Sequence, residues 1–372
     1  MAQTARAMLF HGPGQSWEGV EYPIPAPEPG AILVRLHLTN ICGSDLHQWR
    51  GEGGSPIPPG GRVLGHEMVG EVAALGQGVT TDSLGEPLHE GDRVVYAYFI
   101  PCRRCRACTQ GRFSLCTRRL AHYQEPAGTW PYFVGGFAEY YYVRPGQFVF
   151  RVPDGLPDAA VTPANCAVAQ VVHGLAVAGL TAGQTVVVQG AGALGLYTAA
   201  LADTMGAGRV VVLDALEPRL AAARRFGADD VISVADTSRE ERVARVLELT
   251  GGGADLVLEL VGMSEVIPEG LEMVGPGGTY LDMGLLAPTL EVTLRPAQLL
   301  RRNLRYVGVN HYEPIALARA LEFLEHAASR YPFAEMVTRE YGLDQIEQAF
   351  RESDWARVEG SEAPVGRTGI RP

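Results

Sequence analysis

The chain has 372 residues, 47% hydrophobic and 20% charged, with a formal net charge of −11 at pH 7. That length favours two domains with sizeable cores, and the acidic balance excludes the broad basic face that nucleic-acid binding needs. No apolar run is expected to be long and charge-free enough to span a bilayer, and residues 1–10 lack the apolar stretch of a signal peptide, so a cytoplasmic location is expected.

A proline-rich lead (Pro23, Pro25, Pro27, Pro29) cannot be regular helix or central strand. The β-rich run 31–38 after it opens an antiparallel, barrel-like β-domain. It delivers the stretch Cys42-Gly43-Ser44-Asp45-Leu46-His47 at a strand end. A thiolate is a strong zinc ligand, and a neighbouring hydroxyl and imidazole can move a proton away from whatever the metal activates. A glycine- and proline-rich loop, 51–61, leads to Gly65-His66-Glu67. Glycines at 65 and 70 let the backbone pack closely around a site, which favours His66 as a second ligand over an ordinary core histidine. Glu67 is a nearby carboxylate able to orient the metal or join it transiently.

The cluster Cys102-x2-Cys105-x2-Cys108-x7-Cys116 is the most specific feature of the first half. A chain of this size does not need disulfide staples, and four thiolates so spaced suit one closed tetrahedral zinc, a structural rather than catalytic arrangement. Unligated surface thiols are one alternative. A nucleic-acid-binding zinc ribbon is another, supported locally by Arg103, Arg104, Arg106, Arg112, Arg118 and Arg119 but outweighed by the acidic whole. An aromatic segment follows, from His122 and Tyr123 to Tyr142. Alternation over 137–143 suits a core strand, whereas the glycine- and proline-bounded residues 130–134 are expected to wall a pocket.

Residues 159–179 are small and apolar, as in a tightly packed helix. A valine-rich strand at 185–188 then runs into Gly190-Ala191-Gly192-Ala193-Leu194-Gly195, a helix at 196–205, and a second strand, 209–213, ending in Asp214. A strand, GxGxxG, helix, strand and acid in succession form a dinucleotide fingerprint, with the pyrophosphate on the helix N-terminus. Asp214 would bind the adenosine ribose hydroxyls and repel a 2′-phosphate, favouring NAD over NADP; Arg219 is a mild counter-signal. Further strands at 230–234, 255–261 and 278–284 continue a doubly wound parallel sheet, which makes Val261-Gly262 and Met283-Gly284 candidate nicotinamide neighbours. An amphipathic helix spans 314–328, and the tail 359–372 is expected to be irregular.

Taken together, Cys42 to His47, Gly65-His66-Glu67-x2-Gly70-x5-Gly76, the four-cysteine cluster and Gly190 to Gly195 resemble the zinc-dependent medium-chain alcohol dehydrogenases along nearly the whole chain. The resemblance implies a GroES-like β-barrel catalytic domain at 1–157, a Rossmann coenzyme domain at 158–308 and a return to the catalytic domain at 309–372. It also implies two zinc ions per chain and a homodimer or homotetramer. Cys166, 24 residues before Gly190, takes the place of the family's third catalytic-zinc ligand; on its own it reads as a small buried cysteine. By the same resemblance Ser44 and His47 relay the alcohol proton to solvent, Asp45 orients His66, and zinc acts as the Lewis acid while hydride passes to NAD. Tyr98 and the 130–134 loop match pocket positions, and their aromatic character suits a bulky secondary or cyclic alcohol. A polyol or amino alcohol is the alternative within the family. A zinc-free alkene or quinone reductase is another on the same fold, and a zinc-ribbon regulatory protein stands outside it.

Overall fold

The computed structural model describes residues 3–52, 56–284, 289–354 and 365–372. Two compact units emerge, one of Met1–Ala169, Glu313–His326 and Phe333–Pro372, the other of Gln170–Tyr312 and Ala327–Pro332. The first boundary thus falls at Ala169 rather than at residue 157, and the chain re-enters the first unit at Glu313 rather than at 309.

The first unit begins with β1 (Thr4–Phe10), β2 (Glu18–Pro23), β3 (Ile32–Asn40), α1 (Gly43–Trp49), β4 (Arg62–Val63), β5 (Glu67–Leu75) and β6 (Arg93–Tyr96). It continues through α2 (Arg106–Thr109), β7 (Tyr140–Val143), β8 (Val149–Arg151) and α3 (Asp158–Val161). β1 pairs antiparallel with β2 and β4 in a small sheet, while β3 lies antiparallel between β5 and β7 in a larger one. The close approach of β5 to β3 explains Gly70, where a Cβ would lie 2.3 Å from the Arg35 carbonyl oxygen. Of the 51–61 loop, residues 53–55 lie outside the described residues.

The 130–134 segment departs from expectation. Phe133 is fully buried in a cluster with Ala5, Ala7, Leu9 and Val63, and Tyr132 stacks on Tyr22 at 4.9 Å. The apolar face of the β1–β2 hairpin needs a cover, and these rings supply it, so they are core rather than pocket wall. Only Trp130, 47% exposed, stays outside.

The helix expected over 159–179 is interrupted. α3 is followed by a π turn, Ala164–Val168, and then by α4 (Ala169–Ala178). In the turn the Val168 amide donates to the Pro163 carbonyl, five residues back, at 3.2 Å. Taken whole, Asp158–Ala178 is long and apolar enough to cross a membrane by length and composition, which corrects the sequence expectation; 78% of its most apolar stretch is buried in protein, and a packed core helix meets the same criterion.

The second unit alternates β9 (Thr185–Gln189), α5 (Ala193–Thr204), β10 (Arg209–Asp214), α6 (Glu217–Arg225), β11 (Asp230–Ser233), α7 (Arg239–Leu249) and β12 (Ala254–Glu259). It ends with α8 (Val266–Met273), β13 (Val274–Asp282), α9 (Pro296–Arg302) and β14 (Arg305–Gly308). The strands are all parallel, in the order β11-β10-β9-β12-β13-β14, a doubly wound Rossmann sheet. Val187, Val211, Val257 and Tyr280 are fully buried in its core, as near-continuous apolar strands covered on both faces require.

The chain returns through α10 (Ile315–Ala327), β15 (Val337–Gly342), α11 (Ile346–Ser353) and β16 (Arg367–Arg371). β16 runs parallel to β15 and antiparallel to β3, joining them into a seven-stranded sheet. Within the tail expected to be irregular, 367–371 is therefore a strand, held by fully buried Ile370 against Phe10, Phe137 and Phe350; residues 359–364 lie outside the described residues.

Candidate active site

α1 starts at Cys42, whose extended backbone (φ −89°, ψ 156°) turns the chain out of β3 and into the helix. Asp45 stabilises that start, its Oδ2 accepting from the Cys42 amide at 3.0 Å. Gly65, with φ +88°, permits the turn from β4 that presents His66, and the π turn presents Cys166. Asn165 pins that turn, donating to the Tyr96 carbonyl at 3.1 Å and accepting from the Met68 amide at 3.3 Å. The donor atoms of Cys42, His66 and Cys166 all lie within 4.8 Å of one another.

Asp45 Oδ1 lies 3.3 Å from His66 Nδ1, leaving Nε2 to face the thiols, with Ser44 Oγ 3.2 Å from it. The Cys166 thiol hydrogen-bonds to Cys42 and, with Arg367 and His66 nearby, holds the Cys42 thiol well below its usual pKa against the opposing effect of burial. Burial disfavours the charged form of His66, yet Asp45 and Cys42 raise its pKa well above the ordinary value. Two thiols and an imidazole oriented from behind by a carboxylate form a donor set that fits zinc, with a fourth position open.

Glu67 is fully buried beside the ligand cluster, its carboxyl reaching the Cys42 thiol, with Oε1 2.8 Å from Arg367 and Oε2 3.5 Å from Asn40 Nδ2. Burial pushes its pKa up to about 8 against the pull of Arg367. His47 is joined through Nδ1 to Glu52 at 2.7 Å; among the described residues no hydrogen bond links it to Ser44, which lies three residues back on α1. The Tyr98 ring packs 5.0 Å from that of His66. Arg367 and Glu52 were missed from sequence: one arrives from the last strand, the other from a loop, and neither sits in a motif.

The thiols of Cys102, Cys105, Cys108 and Cys116 likewise gather within 4.8 Å, with Cys105 and Cys108 sulfurs 3.5 Å apart, close to the roughly 3.8 Å edge of a four-thiolate zinc tetrahedron. Backbone N–H groups, Arg104 first, lower the Cys102 thiol to about 6, while burial pushes Cys108 up to about 12. The loop is anchored by Glu313, which accepts from the Phe113 and Ser114 amides at 2.7 and 3.2 Å. The donor set fits a structural zinc.

In the second unit Gly192 caps α5, with nothing within 4 Å of where its Cβ would sit, whereas a Cβ at Gly195 would lie 1.9 Å from the Gly190 carbonyl oxygen. Ala193 and Leu194 open the helix, both partly exposed. Asp214 ends β10 and accepts from the Ala191 amide at 2.7 Å and the Leu216 amide at 3.0 Å, so it fastens the glycine loop; Arg219 stands 3.8 Å from it. Val261 is 42% exposed at the end of β12. Met283 directly follows the end of β13, its side chain buried over Gly174, whose missing Cβ makes the room.

The chain matches the alcohol dehydrogenase GroES-like domain over residues 28–154 and the zinc-binding dehydrogenase domain over 193–326. It is 35% identical to a 5-exo-hydroxycamphor dehydrogenase of Pseudomonas putida, covering 93% of this chain and 95% of that one. It is 32% identical to D-xylulose reductase A of Aspergillus oryzae, over 86% of each. An alcohol dehydrogenase structure from Thermotoga maritima superposes over the full length of both chains with a TM-score of 0.91 at 28% identity. With two units of the matching folds and these relatives, the chain belongs to the medium-chain zinc alcohol dehydrogenase family and is an oxidoreductase acting on CH–OH groups.

Proposed function

We propose that the protein is a zinc-dependent, NAD-linked dehydrogenase that interconverts a bulky secondary or cyclic alcohol and its ketone. The observation that carries this reading is the convergence of Cys42, His66 and Cys166, with Asp45 behind the imidazole. Bound there, zinc would lower the pKa of the substrate hydroxyl, and NAD on the glycine loop would accept the hydride. The remaining steps belong to the chain's own side chains. Ser44 Oγ, beside His66 Nε2, is placed to take the hydroxyl proton. His47, 43% exposed at its side chain and paired with Glu52, is placed to release a proton to solvent. Tyr98 covers one side of His66 and limits water. Asp214 supports NAD over NADP, because a buried carboxylate opposes a phosphate and its charge offsets that of Arg219.

The likeness to a hydroxycamphor dehydrogenase supports a cyclic secondary alcohol, and the likeness to D-xylulose reductases supports a polyol as the second reading. Reduction of NAD and NADP by the zinc-loaded protein across primary, secondary, cyclic, aryl and polyol alcohols tests both. NADH formation from cyclic or secondary alcohols is the expected result. Turnover of sorbitol or threonine, with none of cyclic or aryl alcohols, would move the assignment to a polyol or amino-alcohol dehydrogenase.

A further inference from the structure

Two buried polar side chains near the candidate zinc site have hydrogen-bonding atoms that no described residue meets. His122 is 5% exposed; a backbone group of Tyr98 reaches its ring only weakly, and neither ring nitrogen makes a well-formed hydrogen bond. Arg62 is 4% exposed; its terminal nitrogens donate to Gln48 Oε1 at 3.0 Å and to the Pro56 carbonyl at 2.9 Å, while Nε is unmet. Among the described residues no carboxylate pairs with this guanidinium, and burial lowers its pKa. Arg144, by contrast, is neutralised by Glu125. A buried cation without an anion and a buried imidazole with no well-formed hydrogen bond are both costly, and both are relieved by an oxygen acceptor.

Contacts on two sides tie this pair to the site. Ser44 and Gln48 are four residues apart on α1 and so share a helix face. Ser44 reaches His66, and Gln48 holds Arg62. On the other side the Tyr98 ring packs on His66, a backbone group of Tyr98 lies alongside His122, and the His122 ring packs 4.2 Å from Tyr123. Tyr123 in turn interacts electrostatically with Arg62. Burial, aided by the charges of Arg144 and Arg62, pushes the His122 pKa down to about 3, so at neutral pH the ring offers one donor and one acceptor.

We propose that His122 and Arg62 form a polar subsite for a second oxygen on the substrate, a carbonyl or carboxylate carried by the same molecule as the reacting alcohol. The inference rests on the alcohol dehydrogenase reading above and narrows it. The preferred substrate is then a cyclic hydroxyketone or hydroxy acid, because a site built to hydrogen-bond an oxygen discriminates strongly against the analogue that lacks it.

The test compares kcat/KM of the zinc-loaded protein with NAD for cyclohexanol, 4-hydroxycyclohexanone and 4-hydroxycyclohexanecarboxylate. At least one oxygenated ring should exceed cyclohexanol by about tenfold or more, the effect of one well-made buried hydrogen bond. Which oxygenated ring exceeds it separates the ketone from the acid. In His122→Phe and in Arg62→Met that ratio should fall toward one, and His122→Asn, which keeps a donor and an acceptor, should restore part of it. The ratio is taken within one preparation, so a general loss of folded protein does not move it. A wild-type ratio near one, or variants that leave it unchanged, overturns the subsite while the dehydrogenase reading stands. Should none of the rings be oxidised, that reading fails for this substrate class, and calorimetric titration with the same compounds still reads the subsite. Tighter binding of an oxygenated ring, lost in His122→Phe, supports it, and equal binding refutes it.

Discussion

Asp45 joins the start of α1 to the electronics of the candidate metal site. One of its oxygens caps Cys42 and the other faces His66 Nδ1, with Asp45 itself 1% exposed. Asp45→Asn should weaken zinc at the Cys42 site by about 10- to 100-fold, leaving the four-cysteine zinc in place, as read by titration against a chelator. His37 carries a separate, structural pH dependence. It lies 3.2 Å from Asp158 and 3.2 Å from Glu71, whose hydrogen bonds, Asp158 first, raise its pKa above 6.5; Arg93 and Arg35 face the same carboxylates. The folded pKa exceeds the unfolded one, so this stabilisation is complete below about pH 6.5 and is lost as pH rises through the folded value. Hydrogen bonds from His37 to Asp158, and from Arg35 to Glu71, lower those carboxyls below 3.8 and 4.5, so their share holds above those values and fades in acid. His37→Gln should therefore cost most unfolding free energy between about pH 5 and 6.5, the cost fading as pH rises through the folded His37 pKa, in denaturant titrations across pH. At this scale the sequence showed the candidate ligands that sit in motifs. It did not show partners such as Arg367 for Glu67, because they meet only through tertiary folding.

At the scale of elements, the glycine loop separates fold from function. Gly195 meets the Gly190 carbonyl, whereas Gly192 faces open space. Gly195→Ala should lower the melting temperature and abolish NADH binding together. Gly192→Ala should keep the melting temperature and weaken NADH by about tenfold or more, because its Cβ enters the space a pyrophosphate needs; calorimetry and NADH fluorescence read the two effects. The strands of the second unit were legible because parallel strands buried on both faces are apolar runs bounded by turns. The π turn that presents Cys166 was not, since its residues Ala-Asn-Cys-Ala-Val suit an ordinary helix and the extra residue per turn answers to Asn165 and Pro163. Residues 130–134 misled for a similar reason: an aromatic loop looks alike whether it walls a pocket or covers a hairpin, and the β1–β2 face decided it.

For the whole molecule, the last strand completes the unit that the first strand began. β16 places Ile370 in the core with Phe10 and Arg367 beside Glu67, so the site depends on residues three hundred positions apart in the chain. A short strand preceded by glycine- and proline-containing residues gives little local signal, and its register exists only once β3 and β15 are in place. The two donor sets predict two zinc ions per chain with separable duties, one closed and one open. The most direct test is the rate of NADH formation from a cyclic secondary alcohol by wild type and Cys166→Ala, with zinc counted in the same samples. Wild type should carry two zinc ions and turn over; the variant should keep one and lose about a thousandfold or more of the rate. A variant holding one zinc and oxidising the alcohol at the wild-type rate would contradict the account.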